Sequence, residues 1–198
     1  MNYFVTGVCG FIASRVAELL LDQNHSVFGL DNVNDAYDRR LKEWRLQRLM
    51  GRSGFRFQRA DICDRKALAS LLDEVPRVDA VINLAARAGV RPSVENPWAY
   101  MDTNCTGTLN LLEAARERGI PKFVLASTSS LYGAHNVVPY SEAADTSRPL
   151  SPYAASKKAA EALCYAYHHL YKIDISVLRY FTVYGSVGRF DMSLFWFV

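Results

Sequence analysis

Thr6-Gly7-Val8-Cys9-Gly10-Phe11-Ile12-Ala13 joins an apolar run, Asn2–Val5, to a stretch with helical spacing, Phe11–Leu21. Gly7 can take positive φ in a tight turn, and Gly10 lets a pyrophosphate come close to the backbone. An anion held there would rest on helix amides and on the positive end of the helix dipole. The pattern is G-x-x-G-x-x-A rather than G-x-G-x-x-G, and Ala13 adds a methyl where a third glycine would allow the closest packing. Two glycines after a strand are also the ordinary makings of a turn, so spacing has to decide. Asp31 ends the second apolar run, at the distance where a carboxylate accepts hydrogen bonds from an adenosine ribose. A carboxylate in that place repels a 2′-phosphate, which selects NAD over NADP. A plain loop aspartate is the competing reading, and loop and spacing together favour the cofactor.

Working outward, short β-rich runs alternate with helical ones along the whole chain. Asn2–Val5, Val27–Leu30, Phe55–Gln58, Val78–Leu84, Phe123–Ala126 and Ile175–Leu178 form the strand series. Helices are expected at Phe11–Leu21, Arg40–Met50, Arg65–Leu72, Trp98–Arg118 and Tyr153–Tyr171. Near-continuous apolar strands separated by helices imply a parallel sheet covered on both faces. The expected fold is therefore α/β, a doubly wound, Rossmann-like sheet of about six strands. Asp61-Ile62 and Ala85-Ala86 follow the third and fourth strands and suit the adenine edge and the cofactor floor. A strand cap and small-residue packing explain them equally well.

The composition agrees with one globular domain. The chain has 198 residues, half of them hydrophobic, with 23 Lys+Arg against 20 Asp+Glu. That balance excludes disordered, collagenous and coiled-coil classes. Charges of both signs are scattered, and the longest basic stretch, Arg39–Arg48, is broken by Glu43 and Trp44, so no nucleic-acid stripe is expected. Cys9, Cys63, Cys105 and Cys164 show no metal-ligand spacing and read as free thiols of a reducing compartment, which points to the cytoplasm. The apolar start lacks a basic leader, and no apolar run is long enough to span a membrane.

A second set of residues carries chemistry. The fifth strand ends in Ser127-Thr128-Ser129-Ser130, where a sheet of this kind opens its ligand crevice. Ser151-Pro152-Tyr153 then opens a helix, and Lys157 follows Tyr153 by one turn, on the same face. An ordinary phenol is a poor base at neutral pH, but a neighbouring ammonium and a cationic nicotinamide both favour its ionised form. Tyr153 could then take a proton from a substrate hydroxyl as hydride leaves the adjoining carbon, with Thr128 holding that oxygen and Lys157 also reaching the ribose hydroxyls. A Tyr-x-x-x-Lys helix alone is usually only a solvated face. Its position after the loop, the aspartate and the hydroxyl-bearing strand end makes the catalytic reading the stronger. Lys158 is expected to face elsewhere, into solvent.

These residues together resemble the extended short-chain dehydrogenase/reductase family. The motifs are T-G-x-x-G-F-I, L-D-N-x-N-D-x-Y-D, L-A-A-x-A-G-V-R, Y-x-x-x-N-x-x-G-T-x-N-L-L-E-A, S-x-Y-G and S-P-Y-x-x-S-K-K, running from Val5 to Tyr184. Within the family the chain is most similar to the UDP-glucuronate 4-epimerases, through Asp31–Asp38, Ala88–Arg91 and Phe181–Gly185 with Arg189 and Asp191-Met192. The resemblance implies that NAD accepts hydride from C4 of a UDP-sugar and returns it to the opposite face, with no net redox. It implies Thr128, Tyr153 and Lys157 as catalytic residues. It implies cofactor contacts from Gly7, Gly10, Phe11, Ile12, Asp31, Asn32, Asp61, Ile62, Ala85 and Ala86, besides Tyr153 and Lys157. Substrate contacts would come from Arg91, Ser129, Thr182 and Arg189, the last a cation for the sugar carboxylate. Surface or helix-flanking charges are the other readings of Arg189 and Arg91. Related dehydratases carry Asp-Glu after the threonine; Ser129-Ser130 stand there in this chain, which favours epimerisation over dehydration.

The same resemblance sets expectations about extent. Residues 1–185 would form the NAD-binding domain, and 186–198 would begin a C-terminal lobe that grips the uridine nucleotide. Phe190 stands where a proline is usual. With little of that lobe in the sequence, turnover is expected to be weak or absent, because binding energy from the remote nucleotide positions the reacting sugar. A non-catalytic NAD-binding fragment and a short-chain reductase acting on a small alcohol are the alternative functions. A homodimer is also expected by resemblance, through second apolar stripes Leu109 and Leu112, and Leu163, Ala166 and Leu170; the competing reading is that these stripes all face the sheet.

Overall fold

Phe4 and Val5 are neighbours on the first strand, both wholly buried, and they enter different halves of the core. Alternation of this kind requires cover on both faces of the sheet. In the computed structural model, which describes residues 1–75, 77–186 and 188, that cover is supplied as follows. β1 (Asn2–Thr6), β2 (Ser26–Asp31), β3 (Phe55–Arg59), β4 (Ala80–Asn83), β5 (Lys122–Thr128) and β6 (Asp174–Tyr180) form one parallel sheet in the order β3-β2-β1-β4-β5-β6. On one face, α1 (Phe11–Asp22) and α2 (Arg39–Leu49) bury Ala13, Ala17, Leu21 and Leu49 against Val5 and Val27. On the other, α3 (Arg65–Glu74), α6 (Gly107–Glu117) and α7 (Pro152–Tyr171) bury Leu68, Leu111, Leu112 and Ala160 against Phe4, Val81 and Phe123. The chain is the expected doubly wound, Rossmann-like α/β fold.

Two features of this topology place a site. Strand order reverses between β1 and β4, and a sheet of this type leaves its crevice outside the carboxyl ends at that point. The β5–β6 register, which runs from Lys122 opposite Asp174 to Thr128 opposite Tyr180, brings the end of β5 beside Phe181 and Thr182. The helices begin where local chemistry dictates. Ser151 caps α7 by accepting from the Ala154 N–H at 3.1 Å, with Pro152 in the first turn. Asp38 and Asp64 cap α2 and α3 in the same way.

The structure changes three expectations. The single helix expected over Trp98–Arg118 is instead α5 (Pro97–Tyr100), a π-helical segment Met101–Thr106, and α6, with an additional short helix α4 (Val90–Glu95) before them. Asn96 breaks the run: its side chain caps α5, and Pro97 follows at the first turn. Leu112 points into the core with no exposed surface, so it does not belong to an outward stripe. Lys158 donates to Thr146 Oγ1 at 2.6 Å and is part-buried, so it is not simply solvated. Of the expected lobe, 186–198, residues 187 and 189–198 lie outside the described residues. Among the described residues no helix is long and apolar enough to cross a membrane.

Candidate active site and cofactor groove

The turn after β1 is held by backbone alone. Gly7 adopts φ +70°, and its N–H donates to Leu30 O at 2.7 Å, tying the loop to β2. A methyl added at Gly7 would sit 2.8 Å from Ala85 Cα and N, main-chain atoms that cannot turn aside. At Gly10 the same methyl would meet Gly7 O at 2.9 Å. Gly10 caps α1 without a side-chain bond, so the first amides of α1 are not taken by a cap. This is a cradle for an anion, built from N–H groups and a dipole.

Asp31 is 6% exposed and braces the loop as well as the rim: Oδ2 accepts from the Cys9 N–H at 3.1 Å and Oδ1 from the Val33 N–H at 2.7 Å. Burial, then the Asp31 charge, pushes the Cys9 thiol up to about 12, so it stays protonated and inert. A 320 Å³ cavity opens from this rim and is lined by Gly7, Gly10, Asp31, Asn32, Asp61, Ile62, Ala85 and Ala86. Asp61 accepts from Asn32 Nδ2 at 2.8 Å and from the Cys63 N–H at 2.8 Å. Burial works to raise its carboxyl, and these hydrogen bonds outweigh that and hold it below the usual carboxylate range.

A 700 Å³ cavity continues past the same glycines to the ends of β5 and β6. Phe11, Ile12, Arg91, Thr128, Ser129, Tyr153, Lys157 and Thr182 all line it. Gly7, Gly10, Leu84, Ala86 and Ala88 are common to both cavities, so the two form one groove. Thr128 Oγ1 accepts from the Ser130 N–H at 3.1 Å, which fixes the hydroxyl at the strand end. Lys157 is 3% exposed, and its Nζ donates to Ala126 O at 2.8 Å, leaving two further donors on the ammonium. Burial lowers the lysine to about 8. The Tyr153 ring packs edge-on against Tyr100, with centroids 6.1 Å apart, and Tyr100 is itself anchored by its hydroxyl donating to Ala88 O. Every predicted site residue is thus in one groove except Arg189, which lies outside the described residues.

Several groups in or behind the groove were not singled out from sequence. Asn104, 1% exposed in the π-helical segment, accepts from the Arg87 N–H and donates to Arg87 O and to Ser156 Oγ. Ser156 in turn donates to Tyr153 O, so this chain of bonds links the loop after β4 to the start of α7. Asn104 is the final letter of the Y-x-x-x-N string, which was its one visible signal. Lys42 is 6% exposed, donates to Asn34 Oδ1 at 2.8 Å and stands 4.0 Å from Asp31 Oδ1. It belongs to the stretch Arg39–Arg48, where scattered charge hides a buried cation. Glu161 accepts from Ser127 Oγ at 2.6 Å and pairs with Arg179 at 2.9 Å, joining β5, α7 and β6 directly behind Thr128. Nothing in the spacing of those two residues marks them.

Comparison with known proteins gives consistent relatives. The model of the NAD dependent epimerase/dehydratase family matches residues 3–195. UDP-glucuronate 4-epimerase of Thermodesulfobacterium geofontis is 56% identical over 196 residues, 99% of this chain and 60% of that protein. The Bacillus cereus UDP-glucuronic acid 4-epimerase, solved with UDP-glucuronic acid and NAD, superposes with a TM-score of 0.90 at 38% identity, over 98% of this chain and 61% of that one. A dTDP-glucose 4,6-dehydratase from Streptomyces venezuelae, solved with NAD, gives 0.89 at 30% identity, over 100% and 61%. The chain therefore spans about three fifths of the length of the relatives it matches.

Proposed function

The chain belongs to the NAD dependent epimerase/dehydratase family, and on that premise we propose that it binds NAD and carries the reaction centre of a UDP-sugar 4-epimerase acting on UDP-glucuronate. The observation that carries this reading is the groove itself: a side-chain-free anion cradle runs without interruption into a wall bearing Thr128, Tyr153 and Lys157. The residues fit the cofactor, since Gly7 and Gly10 bring bare backbone to the groove and α1 begins there with no side-chain cap on its first amides. When bound, NAD supplies a nicotinamide that takes hydride from C4 and gives it back.

This chain's own residues handle the proton and the geometry. Thr128 holds the O4 hydroxyl, Tyr153 removes its proton as the C4–H bond breaks, and the same phenol returns the proton when C4 is reduced on its other face. The Lys157 ammonium, present below about pH 8, lowers the cost of the phenolate and reaches the ribose hydroxyls. Arg91 and Thr182, which line the groove, are assigned to the sugar nucleotide, and Arg189 to its carboxylate. Ser129 and Ser130 offer no acid and base for eliminating water, so the keto sugar is reduced rather than dehydrated. The relatives agree, the epimerases being closer than the dehydratase.

The test is conversion of C4-deuterated UDP-glucuronate by the NAD-loaded chain. Deuterium retained at C4 of UDP-galacturonate, with no NADH accumulating, is the expected result. Net NADH from a small alcohol would replace the epimerase with a reductase. NAD binding without conversion would leave a cofactor-binding unit. The four unpaired cysteines support a reducing, cytoplasmic setting. We also assign a homodimer contact to the outer faces of α6 and α7, where Leu109 and Ala166 are part-buried and Leu170 is 64% exposed, while Leu163 packs against the core. Sedimentation at the 22.3 kDa mass of one chain would remove it.

A further inference from the structure

Arg87 follows the Ala85-Ala86 floor, and its main chain is held at both ends by Asn104, through N–H at 2.9 Å and O at 3.0 Å. Its side chain is the contrast. It is part-buried, it lines the 320 Å³ cavity, and its guanidinium makes no hydrogen bond, ion pair or ring contact with any described residue. A guanidinium carries five N–H donors in a rigid fork that matches phosphate oxygens.

The charges around that cavity are unevenly matched. Asp61 feels Arg87 but is occupied by Asn32 and Cys63. Asp31 is occupied by the Cys9 and Val33 amides. Lys42 enters from α2 beside Asp31; burial disfavours its ammonium, the Asp31 carboxylate partly offsets that, and Arg87 and Arg45 add smaller repulsions. Two cations that repel each other thus face one cavity, while both of its buried or part-buried carboxylates are already braced by the protein's own donors. An anion entering between the cations relieves their repulsion and fills the open fork.

We propose that Arg87 and Lys42 are an anion-binding pair for a phosphate group carried on the adenosine side of the nucleotide, Arg87 supplying the hydrogen-bonding fork and Lys42 a second, buried charge. This rests on the cofactor reading above and goes beyond it, because the α1 cradle alone would hold a diphosphate without any cationic side chain. It also qualifies the role of Asp31: a carboxylate with an ammonium 4.0 Å away repels a 2′-phosphate less than a bare one.

The experiment is calorimetric titration of the chain and of Arg87→Gln and Arg87→Lys with NAD, ADP-ribose, NADP and adenosine, at low and at physiological salt. Arg87→Gln is expected to weaken NAD and ADP-ribose about tenfold, one charge-assisted bond's worth, and to flatten their salt dependence. Arg87→Lys should recover part of the loss, and adenosine, which has no phosphate, should bind both proteins alike. A larger loss for NADP than for NAD places the pair on the 2′-phosphate; equal losses place it on the diphosphate. Unchanged NAD affinity in Arg87→Gln overturns the proposal, and so does an equal loss for adenosine, which would mark a stacking or structural role. If the unaltered chain binds none of these ligands, the cofactor reading falls, and the anion pair falls with it.

Discussion

Gly7 and Lys157 show how much of the site depends on single atoms. At Gly7 the turn demands φ +70°, and space for a Cβ is closed by the backbone of Ala85. Gly7→Ala is therefore expected to cost about 1–3 kcal/mol from strained backbone and to abolish NAD binding at concentrations that saturate the parent; thermal melts and titration check both. Lys157 has the opposite problem, a charge buried away from solvent. In the unfolded chain it takes its proton near 10.5, in the fold near 8, so between those values the unfolded state holds more protons and stability rises with pH. Below pH 8 the buried charge costs up to ~3 kcal/mol. The stability difference between Lys157→Met and the parent should accordingly favour the variant most below pH 8 and shrink across the window to pH 10.5, as followed by urea melts at stepped pH. A pH-independent difference would show that the lysine is not desolvated as the fold implies. Tyr153→Phe should keep NAD and lose at least a hundredfold in conversion.

Elements are held in register by two polar joints, one buried and one part-buried. Asn104 stitches the loop after β4 to α7 through Arg87 and Ser156, and its bonds depend on the π-helical segment that turns it inward. Asn104→Ala is expected to lose about 2 kcal/mol, roughly 5 °C in Tm for a chain of this size, and to weaken NAD although Asn104 does not line the groove. The second joint is Glu161 with Ser127 and Arg179. Burial works to raise the Glu161 carboxyl, but the hydrogen bonds from Arg179 and Ser127 hold it down and charged. Arg179→Met strands that charge and should cost about 3–5 kcal/mol, while Glu161→Leu together with Arg179→Met should cost clearly less, because no orphan ion remains. Denaturant melts of the two variants separate these outcomes.

At the scale of the whole molecule, a ligand that binds only the folded chain stabilises it by mass action, so NAD at about a thousand times its Kd should add ~4 kcal/mol and raise Tm by about 10 °C. No shift on NAD addition would contradict the groove as a cofactor site. The strand–helix rhythm, the glycine turn, Asp31 and the Thr128–Tyr153–Lys157 order were legible in the amino-acid order because each is local: a period, a backbone conformation, a one-turn spacing on a helix. Even the helix starts at Asp38, Asp64 and Ser151 are local chemistry. What the sequence left open is what needs two distant segments at once. The break of the Trp98–Arg118 helix serves Asn104, whose partners are 17 and 52 residues away. Lys42 and Arg87 meet in one cavity from α2 and the end of β4, and Arg179 finds Glu161 across β6 and α7. Burial and charge pairing are set by what packs around a side chain, so the sequence alone determined the fold and the order of the chemical groups, and the tertiary structure decided which charges are buried, paired or left facing the groove.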